Sequence, residues 1–132
     1  MSMTSVRSNV DFSMTSTTDA LINGMTISPA AGDYLAVFTM HFDNLAVAQA
    51  LEFSIYVGGV IIQHTERRVD IEGSIAVAGN MAMVCLTAQV TPTAGQAVEA
   101  RYRRPTGNAT AKRRTLTLFS SASSNFQQAT AT

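Results

Sequence analysis

The chain has 132 residues, 46% of them apolar and 14% charged, which is enough for one buried core and too little for two. Nine basic residues balance nine acidic ones, so the overall field that draws a protein onto nucleic acid or an anionic membrane is missing. No apolar run approaches the roughly 20 residues of a membrane helix, and Met1-Ser-Met-Thr-Ser-Val-Arg-Ser has no apolar segment like that of a signal peptide. The expectation is a soluble chain made in a cytoplasm, with no membrane partner.

Residues 1–18 are dominated by Ser, Thr, Met and Asn. Such a stretch has too little apolar material to order itself, and reads as an extended N-terminal arm. From residue 19 onward the apolar positions recur with a period of two, the mark of strands with one buried face. Tyr34, Ala36, Phe38, Met40 and Phe42 share one face of the first clear strand, and Phe53, Ile55 and Val57 share one face of the next. Ala82, Val84, Leu86, Ala88 and Val90 do the same between Met81 and Val90. In Ala97 to Arg104, Val98, Ala100 and Tyr102 face inward while Glu99, Arg101 and Arg103 face outward. No helix-period stripe of similar length occurs.

Turn residues fall where such strands would reverse, at Asn23-Gly24, Pro29 to Asp33, Gly58-Gly59, Gly79-Asn80, Pro92 to Gly95 and Pro105 to Asn108. Their spacing predicts about eight short antiparallel strands in a sandwich or barrel over residues 19–119. Residues 120–132, rich in Ser, Ala and Gln, read as a polar C-terminal tail.

Groups that carry chemistry are sparse. His41 and His64 have no second ligand at metal spacing, and no Cys-x-x-Cys pair or carboxylate cluster exists. No metal or cofactor is therefore expected. His41 is predicted on the outward side of its strand, and His64-Thr-Glu-Arg-Arg68 is read as a solvated strand end with Glu66 paired to an arginine. The serines lack a Gly-x-Ser-x-Gly elbow, so no catalytic residue is assigned. Cys85 lies within Met83-Val84-Cys85-Leu86 and is expected to be buried as a small hydrophobe.

Six of the nine cations, Arg101, Arg103, Arg104, Lys112, Arg113 and Arg114, fall within one short stretch. If their two strands pair, the alternating Arg101 and Arg103 merge with Lys112 to Arg114 into one basic edge. A protein interface, a merely solvated face and a nucleic-acid site all fit such an edge. The balanced net charge and few exposed aromatics argue against nucleic acid.

Several stretches in this order resemble a jelly roll of the C1q and tumour-necrosis-factor type. They are Met25 to Phe38, the Phe53-Ser-Ile-Tyr-Val-Gly-Gly-Val60 segment, His64 to Arg68, Thr93 to Tyr102, and Arg114-Thr-Leu-Thr-Leu-Phe119. More specifically, the chain is similar to small structural proteins of tailed bacteriophages. The resemblance covers residues 20–119 and implies an all-β, antiparallel jelly-roll sandwich. It also implies a homotrimer, and a virion location as a capsid decoration or cement protein bound to the major capsid protein or another virion protein.

A tail or fibre component, or a receptor- or carbohydrate-binding module, is the alternative. The absence of a collagen-like stalk or coiled-coil heptad argues against a whole fibre, and the absence of Trp against a carbohydrate platform. On the decoration reading, partner chains are expected to contact Ser5, Val6, Arg7, Val10 and Phe12 in the arm, Arg101, Arg103 and Arg113 on the basic edge, and Phe126 in the tail.

Overall fold

The computed structural model describes residues 2–44, 49–71, 81–107 and 109–120. The described residues form ten strands in two antiparallel five-stranded sheets and contain no helix. In chain order the strands are β1 (Ser2–Ser8), β2 (Phe12–Met14), β3 (Ala20–Ile27), β4 (Tyr34–Asn44) and β5 (Gln49–Val57), then β6 (Val60–Ile61), β7 (Arg67–Ile71), β8 (Met81–Val90), β9 (Val98–Thr106) and β10 (Ala109–Ser120). Sheet A runs β1-β10-β4-β8, with β2 also on β10; sheet B runs β3-β9-β5-β6, with β7 also on β5. From β3 to β5 and from β8 to β10 the chain passes to the other sheet at each step, as a jelly roll requires.

The period-two pattern decides which faces meet. Ala36, Phe38, Met40 and Phe42 of β4, Val84 and Leu86 of β8, and Leu116 and Leu118 of β10 turn inward from sheet A. They meet Leu51, Phe53 and Ile55 of β5 and Val98, Ala100 and Tyr102 of β9. The Phe42 and Phe53 rings lie 5.5 Å apart across this core, a spacing at which tilted aromatic pairs add to the burial itself. The β5–β6 hairpin closes through Gly58-Gly59, both at positive φ, with Val57 paired to Val60. That two-residue turn needs the left-handed conformation at both positions, which is why two glycines stand there.

Four expectations change. Residues 2–14 are not an arm outside the domain: β1 pairs with β10 from Ser2↔Ser120 to Ser8↔Arg114, and β2 pairs with β10 from Ala109↔Met14 to Ala111↔Phe12. Met14 is fully buried in the core. Asn23-Gly24 is not a reversal; Gly24, at φ 84°, sits in a register break within β3. Cys85 is exposed, because Val84 and Leu86 on either side take the inward face of β8. The expected basic edge does not form, because β9 lies in sheet B and β10 in sheet A. The tail from 121 to 132, the Gly79-Asn80 turn and Phe126 lie outside the described residues.

Candidate functional site

The outer face of sheet A follows from the register of its strands. With the alternate residues buried, Met3, Phe119, Leu35 and Gln89 form one row across β1, β10, β4 and β8, and Ser5, Thr117, Val37 and Thr87 form the next. A third row runs Arg7, Thr115, Thr39, Cys85. The first two rows carry no charged residue, and the third carries only Arg7 at its margin. On β8 beyond them, Met81 and Met83 are 57% and 65% exposed, and Met3 on β1 is 65% exposed. Among the described residues β8 pairs only with β4 and leaves its other side as an unpaired sheet edge.

At the end of this face β10 carries a bulge. Ala111 pairs with Phe42 and Arg114 with Met40, so Lys112 and Arg113 together oppose the single residue His41. Ala111 and Arg114 both turn inward across the bulge and are buried, while Arg113 and His41 stay exposed. A bulge re-aims side chains that strict alternation would place elsewhere. Here it sets Lys112 between Asp11 at 2.8 Å and Asp43 at 3.3 Å, and these carboxylates hold the Lys112 ammonium above its usual range.

Arg114 is 2% exposed. Its Nε donates to the Asn23 carbonyl at 3.0 Å, and its Nη1 to the carbonyls of Val10 at 2.9 Å and Lys112 at 2.8 Å. Its Nη2 has no hydrogen-bond partner among the described residues. Burial lowers the Arg114 pKa, and only the more distant charge of Asp11 opposes this. Arg7, Ser8, Asn9, Arg113, Arg114 and Thr115 line an open cleft of about 360 Å³ beside the bulge.

The outer face of sheet B is built differently. Glu52 of β5 accepts from Arg103 of β9 and lies 3.4 Å from Arg68 of β7. Arg68 also pairs with Asp70 at 2.9 Å, and Arg103 reaches Glu66 at 3.7 Å. Arg101 pairs with Glu99 at 3.0 Å and lies 4.2 Å above the Tyr56 ring, within cation–π range. The Tyr56 hydroxyl donates to Asp19; partial burial first, and that carboxylate second, push its pKa up to about 12.

The expected contact residues separate accordingly. Ser5, Arg7, Val10 and Arg113 are exposed on or near the cleft end of sheet A. Val6 and Phe12 instead pack against the chain's own core, and the Phe12 ring meets Tyr102 edge-on at 6.0 Å. Arg101 and Arg103 are engaged by carboxylates on the opposite sheet. Arg114, read only as part of a basic run, is the buried member that the alternation of β10 hides, because the bulge breaks the period of two. His64 occupies an exposed turn at φ 66°, and neighbouring Glu66 is the one held by Arg103. Among the described residues no group of three His, Cys, Asp or Glu side chains is placed to hold a metal ion.

No family model matches the chain, and no curated protein matches it in sequence. Solved structures do. The Eiger TNF from S. frugiperda superposes with a TM-score of 0.56 at 9% identity, covering 96% of this chain and 99% of that one. The EclA C-terminal domain, a sugar-binding protein, gives 0.49 at 14% identity over 83% of this chain and 78% of that one. Latent PorU from Porphyromonas gingivalis gives 0.43 at 13% identity, covering 82% of this chain and 10% of that much longer one. The fold is a TNF-like jelly-roll sandwich of two antiparallel sheets.

Proposed function

We propose that this protein is a non-enzymatic structural module that self-associates through the outer face of sheet A, as a homotrimer, and so presents a rigid body to a larger assembly. The observation that carries this reading is the run of two cross-strand rows with no charge, from Met3 to Gln89 and from Ser5 to Thr87. A solvated sheet normally alternates buried apolar residues with polar outward ones; sheet B carries several charges outward, whereas these rows of sheet A carry none and include Met3, Phe119, Leu35 and Val37. Three uncharged faces can converge about a threefold axis without stranding a desolvated charge, which is the costly failure of an interface. The exposed methionines beside it are residues enriched in contact surfaces.

The finer reading is capsid decoration: an oligomer that seats on the shell of a virion and stabilises it by binding the assembled state. It rests on the resemblance of the motif order, read in the sequence, to small bacteriophage structural proteins. Light scattering on the full chain tests the self-association on which it depends. The expected result is a mass of three chains for the wild type, and of one for Val37→Lys combined with Thr117→Lys, which put charges in the centre of the face. A monomeric wild type across the micromolar range would overturn the reading.

A further inference from the structure

All nine basic residues of the chain lie among the described residues, and seven of them are engaged. Arg68, Arg101, Arg103 and Lys112 pair with carboxylates. Arg67, Arg104 and Arg114 donate to backbone carbonyls. The remaining two, Arg7 and Arg113, have no partner among the described residues, and both line the same cleft. The third arginine lining it is Arg114, whose Nη2 is the one buried side-chain polar atom without a partner among the described residues. The other described lining residues, Ser8, Asn9 and Thr115, are neutral hydrogen-bonding groups, and no carboxylate lines the cleft among the described residues.

Three guanidinium groups around one opening repel each other, and none of the described lining residues neutralises them. The acidic charge that acts on Arg114 is that of Asp11, which is held 2.8 Å from the Lys112 ammonium. A buried cation that keeps one edge unbonded loses free energy, and an anion held among the three guanidinium groups would offset their mutual repulsion. Guanidinium groups match tetrahedral oxyanions because their parallel N–H pairs meet two oxygens at once. The cleft volume of about 360 Å³ exceeds what a bare ion fills and lies at the small end of ligand pockets, roughly 300 to 1,000 Å³. Its hydroxyl and amide lining suits a hydroxylated carrier.

We propose that the cleft between β1 and the β10 bulge binds the phosphate or sulfate group of a small hydroxylated monoester, such as a sugar phosphate or sulfated sugar. Arg7 and Arg113 take the outer oxygens, with Arg114 behind them and Ser8, Asn9 and Thr115 facing the carrier. The site stands independently of the self-association proposed above, and its test is read on either oligomeric form.

The full chain is melted in the presence of inorganic phosphate, inorganic sulfate, glucose 6-phosphate, glucose 6-sulfate or acetate, with ionic strength held constant by sodium chloride. A saturable rise in melting temperature is expected with the tetrahedral anions, larger for a monoester than for its inorganic ion, and stronger with either phosphate or sulfate according to the natural source. Arg7→Gln combined with Arg113→Gln removes two exposed, unbonded side chains, so its melting temperature in sodium chloride alone should match the wild type. Its affinity for the anions should fall about tenfold or more, while Arg67→Gln on sheet B should leave that affinity intact. No rise beyond sodium chloride, an equal rise with acetate, or an undiminished rise in the double variant would overturn the proposal.

Discussion

The outer faces of the two sheets differ in how their side chains are satisfied. On sheet B, Glu52, Glu66, Asp70, Arg68 and Arg103 are joined across β5, β7 and β9, and Arg101 pairs with Glu99 within β9, so these charges are answered within the chain. On sheet A, Leu35, Val37, Phe119 and a set of threonines face outward with no ionic partner, and charge returns only at the bulged end. The two faces enclose one core and share the same strand geometry, so the difference comes from the outward residues alone. It separates a surface finished by its own interactions from one that gains most by contact with something else.

The largest effect that bears on this contrast should come from Arg114, the buried cation at the end of sheet A. Replacing it with Met should destabilise the domain by about 2–4 kcal/mol in urea unfolding, because the carbonyls of Asn23, Val10 and Lys112 lose their donors. Unchanged stability would mean that the chain keeps this arginine for the cleft alone.

A smaller loss is expected on sheet B. Glu52→Gln leaves Arg103 and Arg68 without their shared carboxylate and should cost about 1 kcal/mol at low salt, less in concentrated sodium chloride. The matching change on the other face, Thr117→Val, should move monomer stability by less than about 0.5 kcal/mol. Equal losses from the two would remove the distinction between a self-satisfied and an unsatisfied face.

A further effect lies in alkaline titration. The Tyr56 hydroxyl, with its pKa raised to about 12 in the folded chain against 10.0 for the free side chain, binds its proton more tightly when folded. Its contribution to stability is therefore complete below pH 10 and is lost as pH rises toward 12. Tyrosinate absorbance should show a late-titrating component that is lost in Tyr56→Phe, and the slope of stability against pH in that window should flatten in the same variant.

Much of the core was legible because its strands obey strict alternation. Phe38, Phe42, Phe53, Leu86 and Val98 are buried where period two puts them, and the Gly58-Gly59 hairpin announced itself by composition. The N-terminal strand was hidden because Met3, Ser5 and Arg7 alternate with Thr4, Val6 and Ser8, leaving only Val6 to signal an inner face. Its place is fixed by main-chain bonds to β10, which composition does not encode. The short connection from Pro105 to Asn108 suggested a hairpin, yet it carries the chain between sheets. The cleft was illegible for a related reason: it joins residues from opposite ends of the sequence at a bulge. Its one trace is the slip of phase in β10, where the inward set Leu118, Leu116, Arg114 resumes at Ala111 and not at Lys112.

The pairing of Ser2 with Ser120 also governs when the molecule can form. β10 lies between β1 and β4 and holds β2 as well, so three strands made earlier wait for one made more than a hundred residues after the first of them. During synthesis sheet A cannot close until β10 has left the ribosome, and the apolar sides of β4 and β8 stay open to other chains for that interval. Folding of this domain is therefore expected to be late, with the nascent chain most prone to aggregate just before β10 emerges.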